Sequence, residues 1–218
     1  MQGKLIVFEG VEGCGKSTQM QICCEWLQSL GIPVLVTREP GGTVLGADIR
    51  RLLLEKSDDK PITSTTELLL YAADRSQHVE QELRPNLAAG KIILCDRYTY
   101  STVAYQGYGR ALDMNLINQL NAIATGGLEP DLGLWLDLDV EVGFARKRGS
   151  GDIADRIEQE KIDFHHRVQL GYSKLAASKP GIIFRVDGSL TREEVTQQIQ
   201  EILNPRLEAW GYKNPVET

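Results

Sequence analysis

No run of uncharged apolar residues in this 218-residue chain approaches the roughly 18 needed to cross a bilayer. The start of the chain lacks a signal-peptide pattern, because a single Lys4 precedes a short apolar run that ends at Glu9. Cysteine is scarce. Cys14, Cys23, Cys24 and Cys95 form no C-x-x-C pair, and the vicinal Cys23 and Cys24 are poorly placed for a normal disulfide. These absences predict a reduced, intracellular protein with the cytosol as its compartment. A basic excess is missing too: 24 Lys plus Arg against 30 Asp plus Glu leave a net charge of −6. That balance excludes a chain that coats nucleic acid or an anionic membrane by bulk charge. His78, His165 and His166 lack metal-ligand spacing to cysteines or carboxylates, which argues against zinc. There is no internal repeat.

What is present is a globular mixture, 42% hydrophobic and 25% charged, sufficient for one buried core. A single domain over residues 1–218 is expected. Short apolar runs at 5–8, 34–36, 92–95, 132–138 and 182–186 are too short for helices and too continuous for strands with one wet face. Between them, helical spacing occupies 16–30, 46–55, 65–89, 115–124, 140–147, 159–177 and 191–203. Strand alternating with helix predicts right-handed crossovers and a parallel sheet covered on both faces. Gly31 followed by Ile32-Pro33 ends the first helix. Thr191 with Glu194 forms a capping-box pattern opening the last one. Arg148-Gly149-Ser150-Gly151-Asp152 reads as a mobile surface loop.

Directly after the first strand pattern, Gly10-Val11-Glu12-Gly13-Cys14-Gly15-Lys16-Ser17 matches G-x-x-x-x-G-K-[ST] in full. Glycines let backbone N–H groups converge on phosphates, the following helix N-terminus favours negative charge, and Lys16 adds a cation. Ser17 offers a hydroxyl to Mg²⁺. The placement between strand and helix separates this motif from an ordinary Gly-rich turn. Neither the N-K-x-D nor the D-x-x-G loop of GTPases occurs. Instead the third strand ends in Cys95-Asp96-Arg97-Tyr98, where Asp96 could orient Mg²⁺ through water and Arg97 could reach a transferring phosphoryl group. A turn-capping Asp and a surface Arg salt bridge are the competing roles for that pair.

A series of motifs in order along the chain resembles bacterial thymidylate kinases. They are Phe8-Glu9-Gly10, the segment Thr37-Arg38-Glu39-Pro40-Gly41-Gly42-Thr43, Ala72-Ala73-Asp74-Arg75, Asp96-Arg97-Tyr98 with Ser101 and Ala104-Tyr105-Gln106-Gly107, and Asp155-Arg156-Ile157-Glu158. The resemblance implies transfer of the ATP γ-phosphoryl group to dTMP, giving dTDP on the route to dTTP. It implies a P-loop NTPase fold, with a five-stranded parallel sheet flanked by helices on both faces. A mobile lid at about 146–158, acceptor-binding elements at about 38–51 and 67–110, and a homodimer go with it. The implied partners are dTMP, ATP and Mg²⁺, with no nucleic-acid polymer and no membrane.

The same resemblance assigns residues. Residues 10–17 hold ATP, and Ser17 with Asp96 serves the metal. Tyr71 stands where the family usually has a Phe stacked on thymine, a job its aromatic face can do. Arg75, four residues on and therefore on the same helical face, meets a thymine carbonyl. A solvated helix Arg paired with Asp74 is its alternative. Arg50 and Arg97 hold the acceptor phosphate, and Glu39 and Ser101 belong to the acceptor site. Glu12 lies near the sugar 3′-hydroxyl, Tyr105 crowds the 2′ position, and Gln106 sits near the base. No Arg follows Glu12 inside the loop, so the transition-state cations are expected from the lid, with Arg156 first and Arg148 second. Lys16 and Arg97 complete the catalytic set. Kinases for dUMP or CMP, and an ATP-hydrolysing switch, are the rival readings. The acceptor-side motifs argue against the switch.

Overall fold

The structure, a computed structural model, describes residues 2–55, 61–150 and 155–212. Five strands form one parallel sheet in the order β2-β3-β1-β4-β5: β1 Lys4–Glu9, β2 Val34–Arg38, β3 Ile92–Asp96, β4 Leu132–Asp137 and β5 Ile183–Asp187. The central strand β1 is covered on both faces, and Leu5 through Phe8 have no accessible surface. That burial explains the unbroken apolar run in its sequence. Each strand ends on a charged residue, Glu9, Arg38, Asp96, Asp137 and Asp187, so the charge gathers at the carboxyl edge, where such sheets open their crevice.

The helices are α1 Lys16–Ser29, α2 Val44–Leu54, α3 Ser64–His78, α4 Arg84–Ala88, α5 Thr99–Thr102, α6 Met114–Thr125, α7 Val140–Ser150, α8 Ile162–Ser178 and α9 Arg192–Ala209. Gly31 takes φ 75° after α1, and the Thr191–Glu194 capping box opens α9 as expected. Among the described residues no helix is long and apolar enough to cross a membrane. All four cysteines are free and buried.

Three expectations are corrected. The single helix expected at 65–89 is α3 and α4 joined by one π-helical turn, Val79–Leu83. Pro85 has no N–H, and its ring would meet the carbonyl four residues back, so the chain widens, with the Arg84 N–H bonded to the Val79 carbonyl. Helix α5 and the π-helical turns Val103–Gly109 that continue it occupy a stretch without helical spacing. Packing against α8 holds this segment. A Cβ at Gly171 of α8 would come 3.0 Å from the Ala104 Cα, so only glycine permits the approach. Finally, α7 runs to Ser150, beyond the position where the loop was expected to begin. The rest of that loop, 151–154, lies outside the described residues.

Candidate active site

The loop between β1 and α1 depends on its glycines. Gly10, Gly13 and Gly15 have φ of 140°, 74° and 95°, and a Cβ on Gly13 would strike the Gly143 carbonyl. Gly15 caps α1 in the left-handed conformation. Lys16 is buried, with Nζ donating to the carbonyls of Gly10 and Val11 at 3.1 Å each. A cavity of about 450 Å³ opens over this loop, lined by Glu12, Gly13, Gly15, Lys16, Ser17 and Thr18. Arg38, Glu39, Arg50, Asp96, Arg97, Arg146 and Lys147 complete its wall. Val11 and Cys14 are buried beneath. One oxygen of Asp96, Oδ1, is buried without a hydrogen-bond partner among the described residues, and Ser17 lines the same cavity.

Arg97 and Glu12 join this cavity to a second, narrower one. Arg97 Nη2 pairs with Glu12, and Lys147 Nζ lies 3.9 Å from the same carboxylate. Burial raises the Glu12 carboxyl, but Lys16, Arg97 and Lys147 outweigh it and hold the group well below the usual carboxylate range. The second cavity is lined by Glu12, Glu39, Arg50, Tyr71, Arg75, Arg97, Ser101, Tyr105 and Gln106, with Asp155, Ile157, Glu158 and His165 also on its wall. The substrate-binding residues expected from the sequence are therefore brought together, drawn from the loop after β1, the loop after β2, α2, α3, the turn after β3 and the Thr99–Gly109 segment. Arg50 reaches both cavities and donates to the Pro40 carbonyl at 2.9 Å.

Arg75 is buried, and Asp74 is not its partner. Its Nε donates to Glu39 at 2.7 Å, Nη1 to Thr102 at 2.7 Å and Asn121 at 2.9 Å, and Nη2 to the Tyr98 carbonyl at 3.0 Å. Four of the five guanidinium N–H bonds are used inside the protein, leaving one for the cavity. Glu39 also meets His78 Nδ1 at 2.9 Å, and His78 Nε2 lies 2.7 Å from the Thr37 hydroxyl. Neither His78 nor Asn121 carried a sequence signal for this role. Asp74 instead accepts from the Gly41 N–H at 2.9 Å. Its other oxygen is buried without a partner among the described residues. Burial, with the neighbouring charge of Glu39, pushes its carboxyl up to about 6 against the pull of Gly41, His78 and Arg75.

Tyr71 is half-buried, and burial together with the Glu67 carboxylate pushes its phenol up. Tyr105 lies under Arg97, with the guanidinium 5.0 Å from its ring, and its hydroxyl is buried without a partner among the described residues. Gln106 donates to Glu67 at 2.9 Å. Glu67 also binds Arg110 and, at 2.6 Å, Arg156, whose Nε donates to the Leu53 carbonyl at 2.7 Å. Arg156 lines neither cavity, and Arg148 is exposed on α7. The cations of α7 that line the P-loop cavity are Arg146 and Lys147, and Lys147 also pairs with Glu158. Of these four cations the sequence reading puts Arg156 first and Arg148 second, whereas the two that line the P-loop cavity are Arg146 and Lys147.

The thymidylate kinase family model matches residues 8–199. The chain belongs to the thymidylate kinase family. It is 72% identical over 207 residues to a thymidylate kinase of Nostoc punctiforme, covering 95% of this chain and 98% of that one. It is 69% identical to a thymidylate kinase of Trichormus variabilis, covering 96% of this chain and 100% of the relative. A crystal structure of the thymidylate kinase from Ehrlichia chaffeensis superposes with a TM-score of 0.77 at 31% identity, covering 93% of this chain and all of the other. In this member of the family the Gly-rich loop between β1 and α1 faces one cavity, and a second, aromatic-lined cavity adjoins it.

Proposed function

We propose that this chain transfers the γ-phosphoryl group of ATP to dTMP, with ATP over the P-loop and dTMP in the second cavity. The observation that carries the reading is the junction: Arg97, Arg50 and Glu12 line both cavities, so a donor and an acceptor phosphate would meet there. Phosphoryl transfer needs positioning and charge stabilisation more than a strong base, and fixed guanidinium groups supply both.

In this reading the backbone of residues 10–17 and Lys16 hold the donor phosphates, and Arg97 and Arg50 hold the acceptor phosphate. Tyr71 stacks on the base, Arg75 offers its remaining N–H to a base carbonyl, and Gln106 borders the base. Glu39 fixes Arg75, Ser101 lies beside Arg97, and Tyr105 closes the sugar side across from Glu12. Arg156 and Arg148 reach the donor phosphates as the lid over about 146–158 closes, which requires Arg156 to exchange Glu67 for phosphate. Among the described residues no group of three or more His, Cys, Asp or Glu could hold a metal ion. A divalent cation here would therefore take most ligands from phosphates and water. The orphaned Asp96 oxygen and the Ser17 hydroxyl fit Mg²⁺, which keeps several waters and uses few protein ligands. Held by Ser17 and Asp96, the ion would supply charge neutralisation to the donor phosphates.

The homodimer is proposed on an exposed apolar surface shared by the packed helices α2, α3 and α6. Val44, Leu45, Leu52, Leu69 and Ile123 are each at least half exposed there, and a matching copy would cover them. The test of the activity is ADP release from ATP and Mg²⁺ with and without dTMP. Strong stimulation is expected. An equal rate without acceptor would point to the ATPase switch.

A further inference from the structure

Arg97 is held by an arrangement that extends beyond the cavity it serves. Its φ is 70°, a left-handed conformation that non-glycine residues adopt under constraint. Nη1 donates to the Gly10 carbonyl at 3.0 Å, to Tyr172 Oη at 3.2 Å and to Ser101 Oγ at 3.3 Å. A hydroxyl can accept from a guanidinium while directing its own proton elsewhere. Both face one atom, Ser101 Oγ at 2.5 Å and Tyr172 Oη at 2.9 Å from Glu9 Oε2, and the two hydroxyls also lie 2.8 Å from one another. The second Glu9 oxygen accepts the Tyr98 N–H at 2.9 Å. Glu9 and Tyr172 are 1% and 2% exposed, and neither lines either cavity.

We infer that Glu9 and Tyr172 are positioning residues for Arg97, the Glu9 carboxylate drawing both hydroxyl protons so that Ser101 and Tyr172 turn their lone pairs to the guanidinium. This rests on the reading of Arg97 as the acceptor-phosphate ligand. The residues come from four separate places, Glu9 from the end of β1, Arg97 from the turn after β3, Ser101 from α5 and Tyr172 from α8. Without Glu9 and Tyr172, Arg97 would keep only the Gly10 carbonyl and Glu12 as partners of its Nη groups, besides Ser101. Locked this way, Nη1 is spent on protein acceptors, and the Nη2 edge is directed past Glu12 to the junction of the cavities. Glu9 can do this without touching substrate because it is the last residue of β1, one position before the P-loop. Donor loop and acceptor Arg are thereby referenced to the same strand. Tyr172 also packs its ring on Trp135 at 6.3 Å and edge-on to Tyr105 at 6.4 Å, so the hydroxyl can be removed without removing the packing.

The experiment compares wild type with Tyr172→Phe, varying dTMP and ATP separately. A misaimed guanidinium should lower kcat/KM for dTMP by about tenfold while the KM for ATP stays within about twofold, because only the acceptor-phosphate contact is misplaced. The dTMP dissociation constant, measured by calorimetry, should weaken in Tyr172→Phe. In an Arg97→Ala background the same substitution should change it by less than about twofold, since a positioning residue acts only through its target. Glu9→Gln, whose amide cannot accept from the two hydroxyls on one side and from the Tyr98 N–H on the other, should repeat the dTMP-selective loss. Unchanged dTMP kinetics in Tyr172→Phe, or a loss that persists in full without Arg97, would overturn the inference. Absence of any dTMP binding in wild type would instead overturn the functional reading on which it rests.

Discussion

Arg75 Nε donates to Glu39 Oε2 at 2.7 Å with both side chains at most 3% exposed. The pair is continued by His78 on the other Glu39 oxygen and by Thr102, Asn121 and the Tyr98 carbonyl on the guanidinium, so four of the five Arg75 N–H bonds and both Glu39 oxygens are partnered. Their cost of desolvation is offset only as a set.

Replacing Glu39 with Gln therefore leaves a buried guanidinium without its counter-charge and should destabilise the fold by about 3–5 kcal/mol. Urea unfolding measures this. The same denaturation on Asp48→Ala, which breaks a pair with side chains 69% and 67% exposed, should shift stability by no more than about 0.5 kcal/mol.

Asp74 gives a pH signature. Its carboxyl is raised to about 6 from 3.8, so the folded state holds the proton more tightly than the unfolded one. This stabilisation is complete below pH 4 and is lost as pH rises through 6. Subtracting the unfolding free energy of Asp74→Asn from that of wild type at each pH should give a difference that falls on the order of 2–3 kcal/mol between pH 4 and 7. A flat difference would contradict the assignment.

The Tyr71 ring, and not its hydroxyl, is expected to carry base affinity. Tyr71→Phe should keep the dTMP dissociation constant within about threefold, while Tyr71→Ala should weaken it by roughly tenfold or more, the usual cost of losing a base-stacking ring. Calorimetric titration distinguishes the two.

Arg156→Ala should lower kcat more than dTMP affinity, because a lid cation acts mainly in the transition state. The acceptor wall survives the substitution, since Glu67 keeps Arg110 and Gln106 as partners. A loss confined to dTMP affinity would reduce Arg156 to the latch seen between Glu67 and Leu53.

The sheet could be read from the sequence because its strands are buried on both faces and carry unbroken apolar runs, as residues 5–8 show most clearly. The P-loop was legible because its backbone demands glycine at fixed spacing, and 10, 13 and 15 all take positive φ. The segment Thr99–Gly109 was not legible: its β-branched, aromatic and glycine residues favour no helix, and packing against Gly171 decides its shape. The same limit hid His78, Asn121 and Tyr172. Each acts through a contact with a residue more than 30 positions away, which no local spacing encodes. Arg156 was singled out by its motif, yet its partners, Glu67 and the Leu53 carbonyl, follow from the packing of its segment against α2 and α3.

The most direct measurement of the central claim is the specificity constant for ADP formation from ATP and Mg²⁺ with dTMP, dUMP, CMP and GMP as acceptors in turn. The cavity of Tyr71, Arg75, Tyr105 and Gln106 predicts the highest value for dTMP. A higher value for another base would move the acceptor assignment, and no response to any monophosphate would contradict phosphoryl transfer at the junction of the two cavities.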